Sequence, residues 1–272
     1  MGELAVGTGR DAGRSVYYEH HAGDRLPILC VHGWGMSTRS WDVLLPSLQA
    51  AGHSVVTFDQ RGCGRSSKDF SEVSIASSAG DVVRLLDHLA IDKVVLNGWS
   101  IGGPISVAAA DKLGSRCAGV ISTVGATPRH TQAADFPQGF PPGTIDAQIQ
   151  VLRRDRAGFL NGFAEVCFAR PVSPALKAWM FDALMQAAPC ADLALQGLEH
   201  LDQRDMLRRL QAPFLAIVGG KDPLVLPEVV REAARLAPRG RAEEFADCGH
   251  APHLEDPERY AEVVLTFLKS LS

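Results

Sequence analysis

The sequence predicts an α/β fold, a mostly parallel central sheet with helices on both faces and an inserted helical cap. Three observations carry that expectation. Short runs dense in Val, Ile and Leu recur along the 272 residues, the pattern of parallel strands covered on both faces. Helical periods alternate with these runs, as in βαβ units. At Asn97-Gly98-Trp99-Ser100-Ile101-Gly102-Gly103 one serine stands among three glycines, where a strand run gives way to a helical one.

In chain order, a short hairpin is expected around residues 14–19, and strands over 26–31, 54–58, 93–96, 120–124, 213–218 and 241–245. Helices are expected over 40–51, 74–90, 101–112 and 228–236. The last helix is the best punctuated. Asp256 stands at its N-cap, Pro257 at the first helical position and Glu258 in the first turn, ahead of apolar Val263, Val264, Phe267 and Leu268. Between the strand ending near Val124 and the one starting at Pro213 lie about 85 residues, too many for a structureless connection in a compact domain. They read as helices over 145–154, 156–169, 174–188 and 192–209. The approach, Phe136-Pro137-Gln138-Gly139-Phe140-Pro141-Pro142-Gly143, is rich in Pro and Gly and suits a hinge or lid edge. The expected organisation is a core of residues 1–126 and 211–272 with a cap over 127–210.

Composition narrows the function. With 46% hydrophobic and 21% charged residues and a net charge of −4, there is no electrostatic reason to expect nucleic acid or an anionic membrane as partner. No stretch approaches about 18 continuous apolar residues, and the amino terminus lacks a basic start followed by an apolar run. A cytoplasmic, unprocessed protein is expected. The six cysteines are scattered without a C-x-x-C pair or a zinc-finger histidine, so buried apolar thiols are expected. No metal or organic cofactor is implied.

Gly98-Trp99-Ser100-Ile101-Gly102 matches G-x-S-x-G between a strand and a helix, the nucleophile elbow of α/β-hydrolases. The glycines have a physical reason. The serine must hold a strained backbone so that its hydroxyl clears the sheet, and side chains beside it would collide. A serine hydroxyl is a weak nucleophile near neutrality and needs a base, which needs an orienting carboxylate. Asp222, in Gly219-Gly220-Lys221-Asp222-Pro223, and His250, in Cys248-Gly249-His250-Ala251-Pro252-His253, each follow a strand run, in the order the fold requires. Both stand at the carboxyl edge where parallel sheets build their sites. His253 is the competing base, and Gly249 favours His250 through the close turn it permits.

Cys30-Val31-His32-Gly33-Trp34-Gly35 ends another strand in an H-G-x-G turn. The Trp34 and Ile101 backbone N–H groups are the expected oxyanion-hole donors, while the His32 side chain is expected to hydrogen-bond locally. Trp34 and Trp99 flank this hole and, with Phe140 and Phe168, are candidates to line the substrate pocket. The glycine run in Asp59-Gln60-Arg61-Gly62-Cys63-Gly64-Arg65-Ser66 fails as a dinucleotide loop because Ser67 stands where glycine is needed, so a supporting turn is expected.

These motifs resemble the serine-dependent α/β-hydrolase superfamily. His32-Gly33-Trp34-Gly35, Gly98-Trp99-Ser100-Ile101-Gly102-Gly103 and Gly249-His250-Ala251-Pro252 look most like the pimeloyl-acyl-carrier-protein methyl ester carboxylesterase group, and the D-x-R-G-x-G-x-S loop looks like general esterases. The resemblance implies the same triad, Ser100, Asp222 and His250, and the same donors. Ester hydrolysis through an acyl-enzyme is the expected activity. Lactone, thioester and carbon-carbon bond hydrolysis share the triad, and a ligand receptor keeping the fold is the rival from another class. Arg129, Arg153, Arg154, Arg156 and Arg170 could form a basic face for an acyl carrier protein, although a solvated helix face is the plainer expectation.

Overall fold

The apolar runs fold into the strands β1 (Gly2–Ala5), β2 (Ser15–His21), β3 (Arg25–Val31), β4 (His53–Phe58), β5 (Val94–Trp99), β6 (Cys117–Thr123), β7 (Phe214–Gly219) and β8 (Gly240–Phe245) of a computed structural model that describes residues 1–271. They form one sheet in the order β1-β2-β4-β3-β5-β6-β7-β8. The pairs β1–β2 and β2–β4 are antiparallel, and every pair from β4 to β8 is parallel. Every residue of β4, β5 and β7 is buried, which is why their sequences do not alternate. The edge strand β8 carries Arg241, Glu243 and Glu244, charges that discourage pairing with another chain.

The helices are α1 (Leu45–Ala50), α2 (Ile75–His88), α3 (Gly102–Leu113), α4 (Thr144–Arg154), α5 (Arg156–Val166), α6 (Pro174–Met185), α7 (Asp192–Gln196), α8 (Arg204–Arg208), α9 (Pro227–Leu236), α10 (Pro252–Glu255) and α11 (Pro257–Lys269). Helices α2, α3, α8 and α9 pack in succession over the sheet, whereas α1 and α11 meet each other. The α2 start is a capping box in which Ser74 and Ser77 satisfy each other's backbone N–H groups. None of the described helices is long and apolar enough to cross a membrane.

Five expectations need correction. The hairpin is larger than residues 14–19: β2 pairs with β1, and the connection closes where Val6 and Gly7 N–H both donate to Arg14 O. Its turn uses Gly9 and Gly13 at positive φ. The strand expected over 93–96 continues through Asn97, Gly98 and Trp99, because β6 pairs with it as far as Trp99 opposite Thr123. The helix expected over 40–51 is a short 3-10 turn, Thr38–Trp41, followed by α1. Pro46 has no N–H to give and fits only in a first turn. The helix expected over 192–209 is broken into α7, a 3-10 turn at Gly197–Glu199, and α8. There Glu199 turns back to accept from Gly143 N and Ile145 N at the start of α4. Asp256 does occupy the α11 N-cap position, yet its carboxylate makes no cap bond and takes Arg170 at 2.7 Å instead.

Candidate active site

Ser100 sits at the joint between β5 and α3 with φ 56°, a left-handed conformation uncommon for a residue with a Cβ. Backbone bonds on both sides hold it there: Ser100 N donates to Thr123 O at 2.9 Å, and Ser100 O accepts from Gly103 N at 2.9 Å and Ala126 N at 3.2 Å. A Cβ on Gly98 would stand 2.0 Å from Gly102 O, and one on Gly102 would stand 2.2 Å from Val31 O. The joint therefore closes only with glycine at both places. Behind it, the Tyr260 hydroxyl of α11 donates to Asn97 Oδ1 at 3.2 Å and lies 2.8 Å from the Thr123 hydroxyl, tying that helix to β5 and β6.

Three side chains from the carboxyl edge of the sheet form one hydrogen-bonded chain. His250 Nε2 lies 2.8 Å from Ser100 Oγ, and His250 Nδ1 lies 2.7 Å from Asp222 Oδ2. Asp222 follows β7, and its other oxygen accepts from Leu224 N at 2.8 Å and Val225 N at 3.1 Å. The turn thus fixes the carboxylate before it meets the imidazole. The His250 backbone is clamped too: its N–H donates to Cys167 O at 2.8 Å, and its carbonyl accepts from Trp99 Nε1 at 2.6 Å. His253, the competing base, is elsewhere. It is fully buried against Trp41, Trp99 and Tyr260, and burial, with His250 adding to it, pushes its pKa down to about 3.

Ser100 and His250 open on a cavity of about 30 Å³, roofed by Ile145 and Gln148 of α4, Phe163 of α5, Leu195 of α7, and Leu198. Trp34 and Ile101 line its floor and are 5% and 1% exposed. Among the described residues no acceptor meets the backbone N–H of either one. Buried backbone donors without a partner are rare, and here two of them border the same cavity as a serine hydroxyl. The turn that presents Trp34 N–H is held by His32, which accepts from Gln60 N at 2.9 Å through Nε2 and lies 2.7 Å from Gly33 O through Nδ1. The Asp59–Ser66 loop is the support expected of it. Asp59 accepts from Thr38 N and Arg65 N, and Arg61 makes a two-pronged bond to Asp81 at 2.6 and 2.9 Å.

Of the four expected pocket residues, Trp34 alone reaches the cavity. Trp99 is 2% exposed and lies under Gly33, where a Cβ would come within 3.0 Å of its ring. It supports the site from below. Phe140 stands one layer back, its ring tilted against the His130 ring at 5.0 Å, and it is His130 that lines the cavity. Phe168 packs on the core outside it, because Glu255 holds the adjoining backbone, accepting from Ala169 N and Arg170 N at 2.8 Å each. Reading the sequence did not single out Phe163, His130, Gln148 or Glu255, as none belongs to a short motif. Glu255 accepts from Gly249 N at 2.8 Å as well, so one carboxylate joins the His250 loop to the segment after α5.

Burial, with His250 nearby, pushes His130 down to about 4, and it is neutral at pH 7. Five of the six cysteines are buried, and burial pushes the Cys30, Cys63 and Cys117 thiols up to about 12. Such thiols are unreactive. No group of three or more His, Cys, Asp or Glu poised for a metal ion occurs among the described residues. Three of the arginines considered for a basic face are engaged: Arg129 with Asp202, Arg156 with Asp192 and Arg170 with Asp256.

Comparison with known proteins bears on the family and the fold. A pimeloyl-[acyl-carrier protein] methyl ester esterase of Photobacterium profundum is 29% identical over 91% of this chain and 96% of its own length. A solved esterase from Exiguobacterium antarcticum superposes with a TM-score of 0.90 at 25% identity, covering 94% of this chain and 96% of the other. A bromoperoxidase from Bacillus anthracis does so with a TM-score of 0.92 at 26% identity, covering 98% and 99%. The family model of the alpha/beta hydrolase fold matches residues 27–257, and the chain belongs to that family.

Proposed function

We propose that the protein hydrolyses carboxylic esters of small to medium acyl groups through Ser100, His250 and Asp222. The observation that carries this is the meeting, at one cavity, of a serine hydroxyl 2.8 Å from a histidine nitrogen and two buried backbone N–H groups without acceptors. His250 Nε2 takes the Ser100 proton as Oγ bonds to the ester carbonyl carbon. The carbonyl π electrons move to oxygen, and that oxyanion accepts from Trp34 N–H and Ile101 N–H, each donor lowering the barrier by about 3 to 4 kcal/mol. Collapse expels the alcohol oxygen, which takes the proton from His250. Water, deprotonated by His250, attacks the acyl-enzyme by the same route and releases the acid with Ser100 restored. Asp222 holds the imidazole tautomer and stabilises the imidazolium.

Lactones and thioesters would pass through the same steps, and the ester reading is preferred for the esterases among the relatives. A small-molecule ester is favoured over one borne by a carrier protein, since three arginines of the expected basic face, Arg129, Arg156 and Arg170, are already paired with carboxylates, which leaves Arg153 and Arg154. The cavity as it stands has room for about one water, so an ester reaches Ser100 only when the roof of α4 and α5 moves outward. Residues 127–210 are accordingly proposed as a cap on a core of 1–126 and 211–272.

Hydrolysis of p-nitrophenyl esters from acetate to octanoate, beside a lactone and dimethyl pimelate, tests the reading with Ser100→Ala as control. Turnover lost in the variant supports it. Equal rates in both proteins, or no turnover of any substrate, overturns it.

A further inference from the structure

His130 and Gln148 are the polar side chains facing Ser100 and His250 across a cavity otherwise walled by Trp34, Ile101, Phe163 and aliphatic residues. His130 belongs to the segment after β6 and Gln148 to the inner face of α4, so neither is part of the chain from Ser100 to Asp222. His130 is 5% exposed. Its place is fixed from outside: its carbonyl accepts from Phe140 N at 2.9 Å, and its ring rests on Phe140 at 5.0 Å. Among the described residues neither its ring nitrogens nor the Gln148 amide is committed to a hydrogen bond with the protein. Both side chains line the same cavity as the reacting serine and spend no hydrogen bond on the protein, so they are placed to pair with a polar group that enters with the substrate.

Resting on the ester-hydrolase reading above, we propose that His130 and Gln148 select a short acyl group bearing an uncharged hydrogen-bonding oxygen, a hydroxyl or a keto group, near the scissile carbonyl. A neutral imidazole offers one donor and one acceptor, and a carboxamide offers both, so the pair matches an oxygen that donates, accepts or does both. A carboxylate is excluded as that group, because no Lys or Arg lines the cavity and an unpaired buried charge is costly. A purely aliphatic acyl group would fill the space while leaving both side chains desolvated and unpaired, which is the penalty that lets a polar site reject an apolar analogue.

The test compares kcat/KM for the ethyl esters of 2- and 3-hydroxybutanoate with their methyl isosteres, 2- and 3-methylbutanoate, and with monoethyl succinate. The parent is expected to favour at least one hydroxy ester over its isostere by about tenfold or more, and over the charged monoester. In His130→Leu and in Gln148→Leu that hydroxy-to-methyl ratio falls several-fold, and His130→Asn, which keeps a donor and an acceptor, recovers part of it. Gln148 is half-buried on a helix, so its variant keeps the test open if His130→Leu fails to fold by circular dichroism. A parent ratio near one, or a ratio identical in parent and both leucine variants, overturns the inference. If Ser100-dependent turnover of p-nitrophenyl acetate persists alongside that result, only the inference falls; if no ester is turned over, the hydrolase reading falls first.

Discussion

At Ser100 a single backbone angle does the organising. With φ at 56° the side chain leaves the plane of the sheet and meets His250, and the strain is held by bonds to Thr123, Gly103 and Ala126 rather than relieved. The residue beneath this arrangement is Glu255. Its carboxylate accepts from Gly249 N, Ala169 N and Arg170 N, so it sets where the His250 loop stands against the roof. Glu255→Gln replaces one acceptor oxygen by a donor facing an N–H, and should cost about 1 to 3 kcal/mol of stability. If Glu255 positions His250, kcat should fall about tenfold with KM nearly unchanged. A purely structural role would lower the denaturation midpoint and leave kcat of the folded enzyme as it was.

The joint of β5 and α3 was the most legible element, because sterics leave so little choice there. Gly98 and Gly102 face backbone oxygens at 2.0 and 2.2 Å from a would-be Cβ, and a chain that must pass that close to itself writes glycine into the sequence. Gly98→Ala should therefore destabilise the fold by about 2 to 3 kcal/mol, read as a lower urea midpoint; an unchanged midpoint would mean the joint can relax. Asp222 and His250 were legible for a related reason, since each follows a strand at the one edge where their side chains can converge. The roof was not. Its helices are set by contacts from distant sequence, such as Glu199 capping the start of α4 and Gln203 donating to Pro104 O while accepting from Thr127. No local period foretells these. Three of the four pocket aromatics, all but Trp34, failed likewise: Trp99 looked like a wall because it adjoins Ser100, but strand alternation turns it downward, beneath Gly33.

For the molecule as a whole, buried histidines add an acid-sensitive part to its stability, His253 and His130 among them. His253 and His130 are held down to about 3 and about 4, both chiefly by burial. An unfolded chain takes up these protons near pH 6.5, so the unfolded state binds more protons between that value and the folded ones. Their contribution to stability is fully present above about pH 6.5 and is lost as pH falls toward about 4 for His130 and about 3 for His253. His253→Phe removes one such proton, and across that window the slope of unfolding free energy against pH should become shallower by up to about 1.4 kcal/mol per pH unit. Urea titrations at pH 7, 6 and 5 measure it, and parallel slopes for parent and variant would refute the assignment.

The fold brings three side chains from three strand ends to one point, where the oxygen of Ser100 is proposed to bond to the substrate carbonyl. The most direct measurement is to treat the protein with a fluorophosphonate ester, which phosphonylates an activated serine, and to locate the adduct by peptide mass spectrometry. Stoichiometric labelling of Ser100 is expected, lost in Ser100→Ala and slowed by about a thousandfold or more in His250→Ala. Labelling at another residue, or equal labelling of Ser100 with and without the histidine, would contradict it.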